Sequence, residues 1–241
     1  MILFDTHCHL ADPKLFPHHR EIINRARDSG VRYLLTVGYD GESNQKSVEI
    51  ARGAKGVYAA VGIHPNEEGE VELPEDPEIV AIGETGLDYY RDQVNPKAQI
   101  EKFIKHIEIA RDRELPLIIH TRKAFPDLIA ILKGEGYYHG VCHCFSGDEA
   151  IARKLTDLGL YISFSGSLTY GSKRLENALT SIPLNRLLFE TDSPYLSPLK
   201  GKVNEPANLR FIIAHAASIL RMDPEELASI TTENGKILFR I

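Results

Sequence analysis

With 241 residues, 43% of them hydrophobic, the chain lies near the roughly 250 typical of one eight-fold barrel and is long enough to bury a large core. A formal net charge of −6 excludes an overall basic nucleic-acid-binding surface, so any anionic substrate has to be met by local cations. Three cysteines argue against a disulfide framework, no apolar run approaches the ~20 residues of a membrane span, and the N-terminus shows no signal-peptide pattern, so a cytoplasmic location is expected.

Short apolar, β-branched runs alternate with segments of helical period. The predicted strands are Ile2–His7, Tyr33–Val37, Val57–Val61, Ile79–Glu84, Leu117–His120, Gly140–Cys144, Tyr161–Phe164 and Leu187–Thr191. Most are nearly continuous hydrophobic stretches, as strands covered on both faces are. Glu21–Ser29 reads as a helix closed by Gly30. Pro96 opens a second, running to Glu114 with Ile100, Phe103, Ile104, Ile107 and Ala110 on one face. Another begins at Asp148 and stops near Gly159, and two more, Ala207–Leu220 and Pro224–Leu238, close the chain. Between the third and fourth strands, Pro65–Glu78 is rich in Glu and Pro without an apolar stripe, so the third helix is expected to be trimmed to an acidic loop. Strands alternating with helices predict a parallel sheet. Its economical form is a single (β/α)8 TIM barrel in one domain spanning residues 1–241; a doubly wound open sheet is the alternative.

Barrel enzymes place their chemistry at the C-terminal ends of the strands. Strand one ends in His7-Cys8-His9, strand four at Glu84, strand five at His120; strand six carries His143, and strand eight runs into Glu190-Thr191-Asp192. Residues i and i+2 share one side of a strand, so His7 and His9 can face inward together while Cys8 turns to the helices. Singly, each residue has an ordinary reading as a hydrogen-bonded histidine or a helix cap. Jointly, four histidines and two acids at five strand ends predict a metal site. If His143 points inward, alternation turns Cys142 and Cys144 out to the helix layer as buried, inert thiols, which disfavours a zinc–thiolate site.

Asp5-Thr6-His7-Cys8-His9-Leu10, Gly62-Ile63-His64-Pro65, Gly83-Glu84-Thr85-Gly86-Leu87-Asp88-Tyr89, Ile119-His120-Thr121-Arg122, His143-Cys144-Phe145-Ser146-Gly147 and Glu190-Thr191-Asp192-Ser193-Pro194-Tyr195, taken together, resemble the TatD-like deoxyribonucleases of the amidohydrolase superfamily. The resemblance runs from residue 2 to Thr232–Phe239. It implies a metal-dependent hydrolase cleaving DNA phosphodiester bonds, most plausibly near strand ends, with two divalent ions (Zn, Mg or Mn). His7, His9 and Asp192 would hold the first ion, His120 and His143 the second, and Glu84 would bridge them. Ions roughly 4 Å apart activate a water and stabilise charge building on phosphorus. Asp192 is the candidate for orienting that water and taking its proton, and Glu190 shares its parity.

For substrate, His64 at the end of strand three is placed to donate to a phosphate or else to make a structural hydrogen bond, and Arg122, of the same parity as His120, to make a charge-assisted contact. Asn204 and Glu205 match a family motif and bind substrate or brace their loop. Tyr89 and Tyr90 stack on a base or pack under the Pro96–Glu114 helix. Two departures point away from tight binding of long DNA: Lys200-Gly201-Lys202 where relatives usually carry Arg-Gly-Lys, and Asn66 where many have His. Because the same water activation serves carbonyls, hydrolysis of an amide, ester or aminoacyl linkage, or of a small phosphoester, is the alternative function.

Overall fold

The strands pair in chain order, β1 to β8, every ladder parallel, in a computed structural model that describes residues 1–91 and 95–241. The strands are β1 (Leu3–Cys8), β2 (Val31–Val37), β3 (Val57–Val61), β4 (Ile79–Asp88), β5 (Leu117–Arg122), β6 (Gly140–Cys142), β7 (Tyr161–Phe164) and β8 (Leu187–Phe189). The helices are α1 (His19–Asp28), α2 (Gly41–Gly53), α3 (Pro96–Asp112), α4 (Phe125–Glu135), α5 (Glu149–Asp157), α6 (Lys173–Ser181), α7 (Leu209–Leu220) and α8 (Pro224–Phe239). Backbone bonds close the seam between the last strand and the first: Asp192 N–H donates to His7 O at 2.9 Å, and His9 N–H to Ser193 O at 2.7 Å. The chain is a single (β/α)8 barrel.

Helices cover every strand-to-strand connection except that between β3 and β4. There the acidic Pro65–Glu78 segment runs without a helix, because it has no apolar face to lay on the sheet. α3 holds it instead: Arg113 donates to the carbonyls of Pro74 and Leu73 at 2.7 and 3.0 Å, and Lys102 to those of His64 and Glu67. α2, α4 and α6 are additions to the helices expected. Local chemistry sets the helix starts: Asn95 accepts from Ala98 N–H ahead of Pro96, Asp148 caps α5, and Asp223 caps α8.

The core has two layers. An inner cluster takes residues from every strand, among them Phe4, Leu35, Ala60, Ile118, Val141 and Leu188, and is joined by Leu238 and Phe239 of α8. The larger outer cluster lies between strands and helices. Among the described residues, no helix is long and apolar enough to cross a membrane.

Candidate metal centre

Side-chain alternation carries the inner face of several strands straight to the mouth. Ile118 leads to His120, Val141 to His143, and Leu188 to Glu190 and Asp192, each at a spacing of two. β1 and β4 break this parity, since Phe4 and Ala81 belong to the inner cluster while His7 and Glu84 stand an odd number of residues further on. The pairing register of β1 slips between Asp5 and Cys8, and that of β4 between Ile82 and Thr85. These irregularities re-aim the side chains beyond them, as bulges do. Gly86 then permits the close approach of β4 to β5, where a Cβ would collide with the carbonyl oxygen of His120.

Asp5 draws the seam together. Its carboxylate, fully buried, accepts from Thr191 N–H at 2.8 Å and from the Thr191 hydroxyl at 2.6 Å. Asp192 follows at φ 55°, in the left-handed region, and so turns beside His7 and His9. Nε2 of His7 and Nε2 of His9 stand 3.1 Å apart, and Asp192 Oδ1 lies 3.8 Å from the first and 3.4 Å from the second. In neutral form, His9 donates from Nδ1 to Val37 O at 2.9 Å, which leaves the Nε2 lone pair for this cluster.

Glu84 splits its two oxygens. Oε2 lies 3.6 Å from His7 Nε2 and 3.5 Å from His9 Nε2, whereas Oε1 lies 2.8 Å from His120 Nδ1 and 2.9 Å from His143 Nε2. Burial works against ionising this carboxyl, but the surrounding imidazoles, His143 foremost, hold it well below the usual range. His7 and His143 stack in parallel with ring centroids 3.9 Å apart.

A carboxylate backs each of two histidines. Glu190 Oε1 accepts from Cys144 N–H at 2.7 Å and lies 3.3 Å from His143 Nδ1; Asp88 Oδ2 lies 3.3 Å from His120 Nε2. Asp88 is not among the ligands expected from the sequence, although it shares the parity of Glu84 on β4. That parity was the signal that could have found it. Asn66 Nδ2 and Tyr90 N–H, each at 2.9 Å, hold the Asp88 carboxylate in place.

These residues suit a divalent ion. Nitrogen and oxygen donors on one tetrahedral or octahedral ion, at about 2.0–2.2 Å each, sit roughly 3 Å from one another. The imidazole and carboxylate atoms here have comparable spacing, with the ring nitrogens turned towards one another. Among the described residues, three groups, His7–His9–Asp192, His7–Glu84–His143 and His64–Asp88–His120, place one donor atom per residue within 4.8 Å of the others.

His64 stands on the rim, with Nε2 3.6 Å from Glu84 Oε1. Its Nδ1 accepts from Asn66 N–H at 3.1 Å, so the ring proton sits on Nε2 and faces the cavity. Burial pushes its pKa down to about 3, keeping the ring neutral. The mouth is a cavity of about 700 Å3 whose walls include His64, Arg122, Arg174, Tyr39, Tyr195 and Leu196.

Asn204 and Glu205 are not among the residues lining it. The Asn204 amide donates to the carbonyls of Thr191 and Tyr195, both at 2.8 Å, and so braces the loop after β8. Glu205 pairs with Arg25 of α1 at 2.7 Å. Tyr89 packs against the core and donates to Asp127, while Tyr90 stands exposed at the rim.

One sequence expectation is corrected. Cys8 and Cys142 are buried among the outer core, but Cys144 lines the mouth, its Sγ 3.3 Å from Ser165 Oγ. β6 ends at Cys142, and Cys144 adopts φ 43°, so strand alternation no longer governs where its thiol points. Burial pushes that thiol well above its ordinary value, as it does the other two.

The sequence profile of the TatD-related DNase family matches residues 4–240. The chain is 38% identical to the uncharacterized metal-dependent hydrolase YabD of Bacillus subtilis, over 100% of both chains. It is 33% identical to the 3'-5' ssDNA/RNA exonuclease TatD of Klebsiella pneumoniae, over 99% of this chain and 98% of that one. The crystal structure of YJJV, a TatD homologue from Escherichia coli, superposes with a TM-score of 0.92 at 28% identity, covering 99% and 98% of the two chains. Matched from end to end by metal-dependent hydrolases of one kind, the chain belongs to the TatD-related DNase family.

Proposed function

We propose that this protein is a two-metal phosphodiesterase that shortens single-stranded DNA from an end. The observation that carries the reading is Glu84, whose two oxygens face two separate imidazole groups, as a bridging carboxylate does. His7, His9 and Asp192 would hold one ion, His120 and His143 the other. Zn, Mn and Mg all suit such a mixed donor set. Bound there, the ions supply a nucleophilic water at neutral pH and stabilise charge on a phosphoryl oxygen.

The chain's own residues do the rest. Asp192, fixed by the seam, orients the attacking water and takes its proton. Neutral His64 donates its Nε2–H, which faces the cavity, to a phosphate oxygen. Arg122 contributes a charge-assisted contact at the rim. A cavity of about 700 Å3 fits a chain end better than a long duplex. The name of the Klebsiella relative supports a nucleic-acid substrate, and single strands in particular.

The test is a time course on 3′- and 5′-labelled single-stranded DNA, using chelated protein resupplied with Mg²⁺, Mn²⁺ or Zn²⁺. Metal-dependent shortening is expected, reduced at least ~100-fold in Asp192→Asn, the loss of a positioned base. Cleavage that ignores metal or the substitution sinks the reading. Inert DNA in the presence of bound metal turns it towards a small phosphoester or a carbonyl substrate.

A further inference from the structure

Arg122 is the last residue of β5, two positions beyond His120 and therefore about 6–7 Å further along the strand. Its guanidinium carbon lies 3.5 Å from the centroid of the Tyr90 ring, and Lys123 Nζ lies 4.8 Å from the same ring. The ring occupies one face of the guanidinium and leaves the N–H donors along its edge available, an arrangement suited to a phosphate. Tyr90 is 51% exposed, Arg122 is exposed and lines the mouth cavity, and Arg91 lines it too.

The platform is not a loose surface side chain. Asp88 accepts Tyr90 N–H at 2.9 Å through Oδ1 while its Oδ2 lies 3.3 Å from His120 Nε2. One carboxylate thus anchors the Tyr90 backbone through one oxygen and the central imidazole through the other. The rise of about 6–7 Å from His120 to Arg122 along the strand is about one nucleotide step of an extended chain.

We propose that the Arg122–Tyr90 stack, with Lys123, is the receptor for the phosphate adjacent to the scissile one. It selects substrates that carry two phosphodiesters in succession. This rests on the phosphodiesterase reading above and adds to it a subsite and a minimum substrate. Electrostatically, the subsite places cations where a second anion arrives, in a chain whose net charge is otherwise unfavourable to it.

The test compares kcat/KM of the metal-loaded protein on d(TpTpT), which has two adjacent phosphodiesters, with that on d(TpT), which has one. Wild type is expected to favour the trinucleotide, and Arg122→Gln to lower that preference ten- to hundredfold, the worth of one charge-assisted hydrogen bond. Arg122→Lys recovers part of it, because charge is kept but the planar stack is not. Tyr90→Leu, on an exposed ring, lowers the same ratio. A ratio unchanged within twofold in Arg122→Gln, or a loss shared in proportion by both substrates, overturns the subsite and leaves the phosphodiesterase reading standing. No turnover of either substrate by wild type overturns that reading, and the subsite with it.

Discussion

Glu190 is buried, and its Oε1 serves two donors, Cys144 N–H and His143 Nδ1. Its Oε2 is buried without a partner among the described residues. A carboxylate behind a histidine ligand fixes the tautomer and raises the basicity of the nitrogen that faces the metal. With Glu190 behind it, His143 presents Nε2 to Glu84, and Asp88 does the corresponding service for His120 through the opposite nitrogen. Nδ1 of His7 has no partner among the described residues. Replacing Glu190 by Gln retains a carbonyl for both donors and removes only the charge. Metal affinity measured by chelator competition is therefore expected to fall about ten- to hundredfold. Affinity within twofold of wild type would mean that Glu190 merely braces the backbone at Cys144.

Secondary structure was legible wherever a segment had one clear period: the strand cores, the run from Pro96 and the closing pair of helices. What escaped were the strand ends. β6 and β8 stop short of Cys144 and Thr191, and β4 runs on to Asp88, because backbone conformation there is set by packing rather than by hydrophobic pattern. His7 and His9 could be assigned to one side by alternation, yet the register slip that turns them inward leaves no mark in the residue types. Glu205 illustrates the opposite failure: a motif residue whose partner, Arg25, lies on α1 far away in sequence.

α3 also contributes something that periodicity did not show. His106 bonds Lys102 O through Nδ1 at 2.8 Å and accepts Ile63 N–H on Nε2 at 2.9 Å, holding the end of β3 where His64 begins. Burial pushes its pKa down to about 4 from an ordinary 6.5. Between those values the unfolded chain takes up a proton that the folded chain refuses, so stability falls as pH drops from 6.5 to about 4. The loss is about 3 kcal/mol. Chemical denaturation across that window, compared with His106→Gln, checks it: Gln still accepts from Ile63 but cannot titrate, so the slope should be shallower by that amount. Parallel slopes would show that His106 is not the titrating group.

The whole molecule sets the mode of nucleic-acid binding. A net charge of −6 repels a long polyanion, and the cations that meet it, Arg91, Arg122 and Arg174, are gathered on the walls of one cavity of about 700 Å3. Such a protein grips two or three phosphates and no more. For single strands the logarithm of affinity falls with the logarithm of salt at about 0.7 per phosphate neutralised, which gives a slope of roughly −1.5 to −2. Raising salt from about 50 to 200 mM should then weaken binding only about tenfold, against the ~10³–10⁵ lost by proteins that track a duplex through many contacts. Affinity should also stop rising at about four nucleotides, the low end of single-strand site sizes. Fluorescence anisotropy of labelled oligonucleotides on metal-loaded Asp192→Asn measures both quantities. A steep slope, with affinity still rising at twenty nucleotides, would require a basic track beyond the mouth and would contradict binding at a chain end.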